Sequence, residues 1–180
     1  MALGDSLTAG YGIGEALAFP AVLQSRLDSE GYDYQVINAG VSGATSEAAL
    51  GRVTAALAGD VRILIVALGV NDGLRRVPVE AVGANLARII ETAQARRIAV
   101  LLCGMEAPPI YGQAYTAAFH QLYQDLAARY RVDLVPFVMF SVLGRADRLL
   151  ADRLHPNAAG ARAIADQLWP YLKPLLRRVA

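Results

Sequence analysis

One cysteine and two histidines are the only thiol and imidazole groups in this 180-residue chain: Cys103, His120 and His155. A lone cysteine excludes an internal disulfide, and with no HExxH and no CxxC neither a metal site nor any other cofactor is expected. Cys103 stands in the apolar run from Ile98 to Met105, where a thiol acts as a small buried hydrophobe. Charge is sparse as well. Asp, Glu, Lys and Arg make up 18% of residues, the formal net charge is +1, and no long run carries one sign. That balance excludes the electrostatic footprint of a nucleic-acid binder and the polybasic patch of a protein held on anionic lipid. Apolar runs are only strand-length, so neither a membrane span nor a signal peptide is read, and no stable membrane insertion is expected. Only Met1, Ala2 and Leu3 precede the first chemical motif, which leaves location open: cytoplasmic as written, periplasmic or secreted if an amino-terminal signal has been removed.

What the chain has in quantity is apolar residues, 55% of the total, enough for one domain over 1–180 with a full core. Short β-rich runs alternate with helical periods. After a first strand ending at Leu3, Gln35–Asn38, Arg62–Leu68, Ile98–Cys103 and Val132–Val135 read as strands. The run Ile63 to Leu68 is apolar without alternation, as in a strand buried on both faces of a parallel sheet. Between the strands lie apolar stripes at three- and four-residue spacing. They are Leu50, Val53, Ala56 and Leu57; Val79, Val82, Leu86, Ile89, Ile90 and Ala93; Phe119, Leu122, Tyr123 and Leu126; and Ile164, Leu168, Tyr171 and Leu175. Pro20 suits the first turn of a further helix running to about Asp28. Alternation of this kind predicts an α/β fold of βαβ units with a five-stranded parallel sheet covered on both faces. Few apolar residues stand outside the stripes, so a monomer is expected.

In such a sheet, ligands bind beyond the carboxyl ends of the strands. Four segments fall there: Gly4-Asp5-Ser6-Leu7-Thr8, Asn38 to Gly43, Gly69-Val70-Asn71-Asp72, and Asp152-Arg153-Leu154-His155-Pro156-Asn157 ahead of the last helix. A hydroxyl becomes a nucleophile when a positioned base takes its proton, and Ser6 at a helix start would also present backbone N–H groups to an oxyanion. His155 is the available base, held out of the next helix by Pro156, while Asn157 can cap that helix. Asp152, three residues earlier, can accept from one ring nitrogen. Gly43 lets an N–H approach a substrate oxygen, and Asn71 offers a neutral NH₂ donor. Each element has a plain structural alternative, such as a cap, a turn or a salt link; the case rests on their joint occurrence.

Together these residues resemble the SGNH (GDSL) hydrolase family. Gly4-Asp5-Ser6-Leu7 corresponds to its first block, Gly43 to its second, Gly69-Val70-Asn71-Asp72 to its third and Asp152 to Asn157 to its last, in the family's order. The resemblance implies a three-layer α/β/α fold of flavodoxin-like topology and hydrolysis of an acyl ester, a neutral small molecule. It implies a Ser6–His155–Asp152 triad, with an oxyanion hole from Ser6 N–H, Gly43 N–H and the Asn71 side chain. Asn71 to Arg75 and Pro108 to Tyr115 are similar to the thioesterase I, arylesterase and lysophospholipase branch, which puts Leu74, Pro108, Ile110 and Tyr111 near the substrate.

Other readings are weaker. Ser42 would need glycine two residues on for a GxSxG elbow, and Ala44 is there. Gly10-Tyr11-Gly12-Ile13-Gly14 would need glycine at Glu15 to bind a dinucleotide. Asp5 as a phosphate acceptor lacks a second Asp at Leu7. The alternative from a different class is a non-catalytic small-molecule or partner-binding module on the same scaffold. His120 reads as a flank or surface histidine, and Arg75 and Arg76 as solvated charges that could meet an acidic leaving group.

Overall fold

Five short runs become parallel strands in the computed structural model, which describes residues 1–179. They are β1 (Ala2–Gly4), β2 (Asn38–Gly40), β3 (Ile63–Ala67), β4 (Ala99–Cys103) and β5 (Asp133–Val135), in the order β2-β1-β3-β4-β5. Every residue of β3 is buried, which explains why its sequence does not alternate. Seven α-helices accompany them among the described residues: α1 (Ser6–Ala9), α2 (Phe19–Ser29), α3 (Ser46–Ala56), α4 (Val70–Leu74), α5 (Val79–Gln94), α6 (Gln113–Tyr130) and α7 (Ala158–Val179). α2 packs on α7, whereas α3 packs on α5 and α5 on α6. Two helical layers thus enclose the sheet, as right-handed crossovers require when strand order reverses once. This is the flavodoxin-like order, and its reversal falls between β1 and β3.

The apolar stripes face inward as their spacing demands. Val82, Leu86, Ile89, Ile90 and Ala93 of α5 are fully buried. Two details differ from the sequence reading. β2 lies at Asn38–Gly40 rather than Gln35–Asn38, because its register pairs Asn38, Ala39 and Gly40 with Ala2, Leu3 and Gly4. The backbone upstream bonds elsewhere: the Gln24 side chain donates to the Tyr34 carbonyl at 3.0 Å and accepts from the Val36 N–H at 2.6 Å. In α7 the buried member is Leu172, not Tyr171, since the stripe steps by four residues from Leu168.

Close packing at the carboxyl ends of β1 and β2 fixes α1. A Cβ on Gly40 would lie 2.3 Å from the Ala9 nitrogen and 2.7 Å from the Thr8 carbonyl carbon. Backbone cannot step aside as a flexible side chain can, so Gly40→Ala is expected to destabilise the fold by about 1–3 kcal/mol. Gly51, in α3 with nothing near its Cβ position, is the matched control. Gly51→Ala should stabilise by about 0.5–1 kcal/mol through helix propensity. Thermal unfolding checks the pair: opposite signs of the Tm shift are expected.

Candidate active site

Ser6 opens α1 immediately after β1, at the point where strand order reverses. Asp5 caps this helix, its Oδ1 accepting the Leu7 N–H at 3.0 Å, and Gly10 ends it in the left-handed conformation at φ 79°. The Ser6 hydroxyl is thereby set at the start of a single turn of helix. Asn38 steadies the same turn, donating to the Thr8 carbonyl at 2.8 Å.

His155 reaches Ser6 from the opposite end of the chain. Its Nε2 lies 3.1 Å from Ser6 Oγ, and its Nδ1 lies 2.7 Å from Asp152 Oδ2. Asp152 Oδ1 also accepts the backbone N–H groups of Leu154 at 2.9 Å and of His155 at 3.0 Å. These bonds from the His155 backbone and ring and from Leu154 bring the Asp152 carboxyl down to about 2, so it stays ionised through the neutral range. Ionised Asp152 fixes the proton on Nδ1 and leaves Nε2 to accept from Ser6. The segment is held from behind by Asn157. Its Nδ2 donates to the Asp147 and Leu149 carbonyls, and its Oδ1 caps α7 by accepting from Ala159 and Gly160.

Gly43 and Asn71 stand across from the hydroxyl. Gly43 turns at φ 79°, where glycine is favoured, and neither its N–H nor that of Ser6 has a hydrogen-bond partner among the described residues. Asn71 Nδ2 donates one hydrogen to the Ala44 carbonyl at 3.1 Å, which orients the amide and leaves a second hydrogen for a ligand. Asp72 ties the two loops together, accepting from the Ser46 N–H at 2.9 Å and the Ser46 hydroxyl at 2.7 Å. Arg75 adds a bond to the Gly43 carbonyl at 3.1 Å, so it braces this loop and is not simply solvated. Asp5 and Asp72 are both fully buried. Burial, and to a lesser extent the nearby Asp72 charge, push the Asp5 carboxyl up to about 7, against the lowering effect of the Leu7 N–H.

These groups open into a cleft of about 710 Å³ lined by Ser6, Gly43, Asn71 and His155 and otherwise mostly by apolar side chains. Leu74 and Pro108 are in its lining; Ile110 and Tyr111 are not. Ile110 points to solvent at 85% exposure, and the Tyr111 hydroxyl donates to the Leu74 carbonyl at 2.6 Å. Ser42 is also in the lining but has no imidazole within hydrogen-bond reach. Several lining residues escaped the sequence reading, among them Tyr11, Glu106, Phe137, Met139 and Leu143. The Tyr11 ring lies over His155 with centroids 4.4 Å apart, and Glu106 sits at the far rim. Cys103 is buried, its thiol pushed up to about 12 by that burial, which suits an inert core residue. Among the described residues no group of three or more His, Cys, Asp or Glu side chains is placed to hold a metal, and no helix is long and apolar enough to cross a membrane.

A hydroxyl, an imidazole and a carboxylate in sequence, with neutral donors opposite and an apolar cleft alongside, on a doubly wound parallel sheet, define a serine hydrolase of the α/β class. The chain belongs to the GDSL-like Lipase/Acylhydrolase family, whose profile matches residues 2–163. It is 41% identical over 177 residues to "Esterase TesA" of Pseudomonas aeruginosa, covering 98% of this chain and 88% of that one. It is 36% identical over 175 residues to "Thioesterase 1/protease 1/lysophospholipase L1" of Escherichia coli strain K12, covering 97% and 83%. The crystal structure of the psychrotrophic esterase EstA from Pseudoalteromonas sp., inhibited by monoethylphosphonate, superposes with a TM-score of 0.91 at 32% identity, covering 98% and 97%.

Proposed function

We propose that the protein hydrolyses acyl esters through an acyl-enzyme on Ser6. One observation carries the reading: the continuous chain from Ser6 Oγ through His155 to Asp152, at 3.1 Å and 2.7 Å, opening into an apolar cleft. His155 Nε2 takes the Ser6 proton as Oγ attacks the acyl carbonyl. The Ser6 and Gly43 N–H groups and Asn71 Nδ2 receive the oxyanion. The imidazolium, steadied by ionised Asp152 and the Tyr11 ring, returns the proton to the leaving oxygen or sulfur. Water then repeats the sequence on the acyl-enzyme. The esterase and thioesterase names of the relatives, and the phosphonate on a structural neighbour, support the same chemistry in this chain.

The mostly apolar lining suits the hydrocarbon of an acyl chain. Asn71→Ala removes one of three oxyanion donors and is expected to lower kcat on the order of 10²–10³-fold with little change in KM. Steady-state rates on a p-nitrophenyl ester check this; an unchanged kcat would take Asn71 out of the mechanism. The function itself is tested by p-nitrophenyl esters from acetate to palmitate, with wild type and Ser6→Ala side by side. Turnover only in the wild type is expected, with an optimum that sizes the cleft. A folded wild type inactive on every ester would refute the reading.

A further inference from the structure

Glu106 is the one acidic side chain lining the cleft among the described residues, and no Asp, Lys or Arg joins it there. Its backbone is rigidly placed. Met105 and Ala107 on either side are buried, and the loop is pinned where Gly104 bonds to the Val135 carbonyl at 2.8 Å and receives the Val138 N–H at 3.0 Å. Its side chain is aimed as well. His120 Nδ1 lies 2.6 Å from Glu106 Oε1, and Gln124 Nε2 lies 2.7 Å from His120 Nε2. With Gln124 donating to Nε2, the proton sits on Nδ1 and is given to Oε1, while Oε2 is left without a partner among the described residues. This side chain is 33% exposed, so its charge is felt in the cleft without being fully screened.

The place of Glu106 in the sheet gives its place on the substrate. Ser6 follows β1, Asn71 follows β3 and Glu106 follows β4. Two strand spacings separate the first from the last, about 10 Å. The leaving group must lie by His155 Nε2, which protonates it, so the acyl chain runs the other way, across β3 towards the β4 and β5 loops. There Met105, Phe137, Met139 and Leu143 supply apolar walls and Glu106 the single charge.

We propose that Glu106, aimed by His120, makes the distal end of the acyl subsite charge-selective, rejecting acyl chains that end in a carboxylate and retaining those that end in an ammonium group. The inference builds on the acyl-ester reading and adds a substrate class to it. A half-screened carboxylate should discriminate about tenfold between like-sized groups of opposite effect, less at high salt.

The test pairs substrates of equal carbon number. Wild type and Glu106→Gln are compared on p-nitrophenyl hexanoate and the p-nitrophenyl monoester of adipic acid, and again on the decanoate and sebacate pair. Glu106→Gln is expected to raise kcat/KM on the dicarboxylate esters about tenfold relative to the neutral esters. A second arm needs no turnover: calorimetric binding of hexanamide and 6-aminohexanamide to the same two proteins. The preference for the ammonium ligand should fall about tenfold in Glu106→Gln. A substitution that moves both members of a pair alike, in either assay, overturns the proposal. A wild type that hydrolyses no ester yet shows the Glu106-dependent ammonium preference would refute the catalytic reading alone.

Discussion

Replacing Ser6 with alanine is expected to lower kcat for ester hydrolysis on the order of 10⁶-fold while leaving Tm and KM nearly unchanged. Among the described residues the hydroxyl is the only group in the cleft that combines nucleophilic oxygen with a base at 3.1 Å. Its removal leaves His155 with no proton to take. The Gly43 and Asn71 donors would still bind a polarised carbonyl, so a residual rate above that of water is expected, and it should be insensitive to further loss of His155. Stability should hold because, among the described residues, Ser6 Oγ bonds only to His155, while the helix it opens is capped by Asp5. Single-turnover and steady-state rates on one p-nitrophenyl ester, with thermal unfolding of both proteins, check all three statements. A variant retaining a tenth of the wild-type kcat would point to another nucleophile, with Ser42 the first candidate.

The second large effect belongs to Asp152. Asp152→Asn is expected to reduce kcat on the order of 10⁴-fold. The carboxylate accepts three hydrogen bonds, from the Leu154 and His155 backbone and from His155 Nδ1. An amide has one oxygen for these partners. If it keeps the backbone bonds, its NH₂ faces Nδ1 and draws the ring into the tautomer with hydrogen on Nε2, which cannot accept from Ser6. If it turns its oxygen to the ring, the Leu154–His155 turn loses its anchor. The wild-type carboxyl, held at about 2, contributes no inflection to a kcat/KM profile in the neutral range. The variant should therefore lose activity throughout that range. A loss confined to acid pH would contradict this role.

Much of this arrangement could be read before any coordinates. A parallel sheet announces itself in runs such as Ile63 to Ala67, which need two apolar faces. Residues just beyond such runs gather on one rim, which is why Ser6, Gly43, Asn71 and His155 could be named together. The short-range parts followed the same logic: Asn157 caps α7, and Asp152 reaches His155 across one turn. What escaped was decided by tertiary partners. β2 slid towards Gly40 because its pairing register with β1 and the Gln24 side chain, not composition, select the bonded residues. Ile110 and Tyr111 share a short turn with Pro109, and only the tertiary structure shows that Pro109 lines the cleft while Ile110 and Tyr111 do not. His120 has the spacing of an ordinary surface residue, and its partner Glu106 lies on a separate loop. Tyr11 sits in a glycine-rich stretch that gives no hint of a ring stacked on His155.

The central claim, that Ser6 is the nucleophile of an acyl-enzyme, is tested most directly by covalent trapping. The folded protein would be treated with a p-nitrophenyl alkylphosphonate, and its intact mass and peptide map compared with those of Ser6→Ala. A single adduct that maps to Ser6 and is absent from the variant is the predicted result. An adduct on Ser42, or a folded wild type that takes up no phosphonate while it turns over esters, would contradict the account.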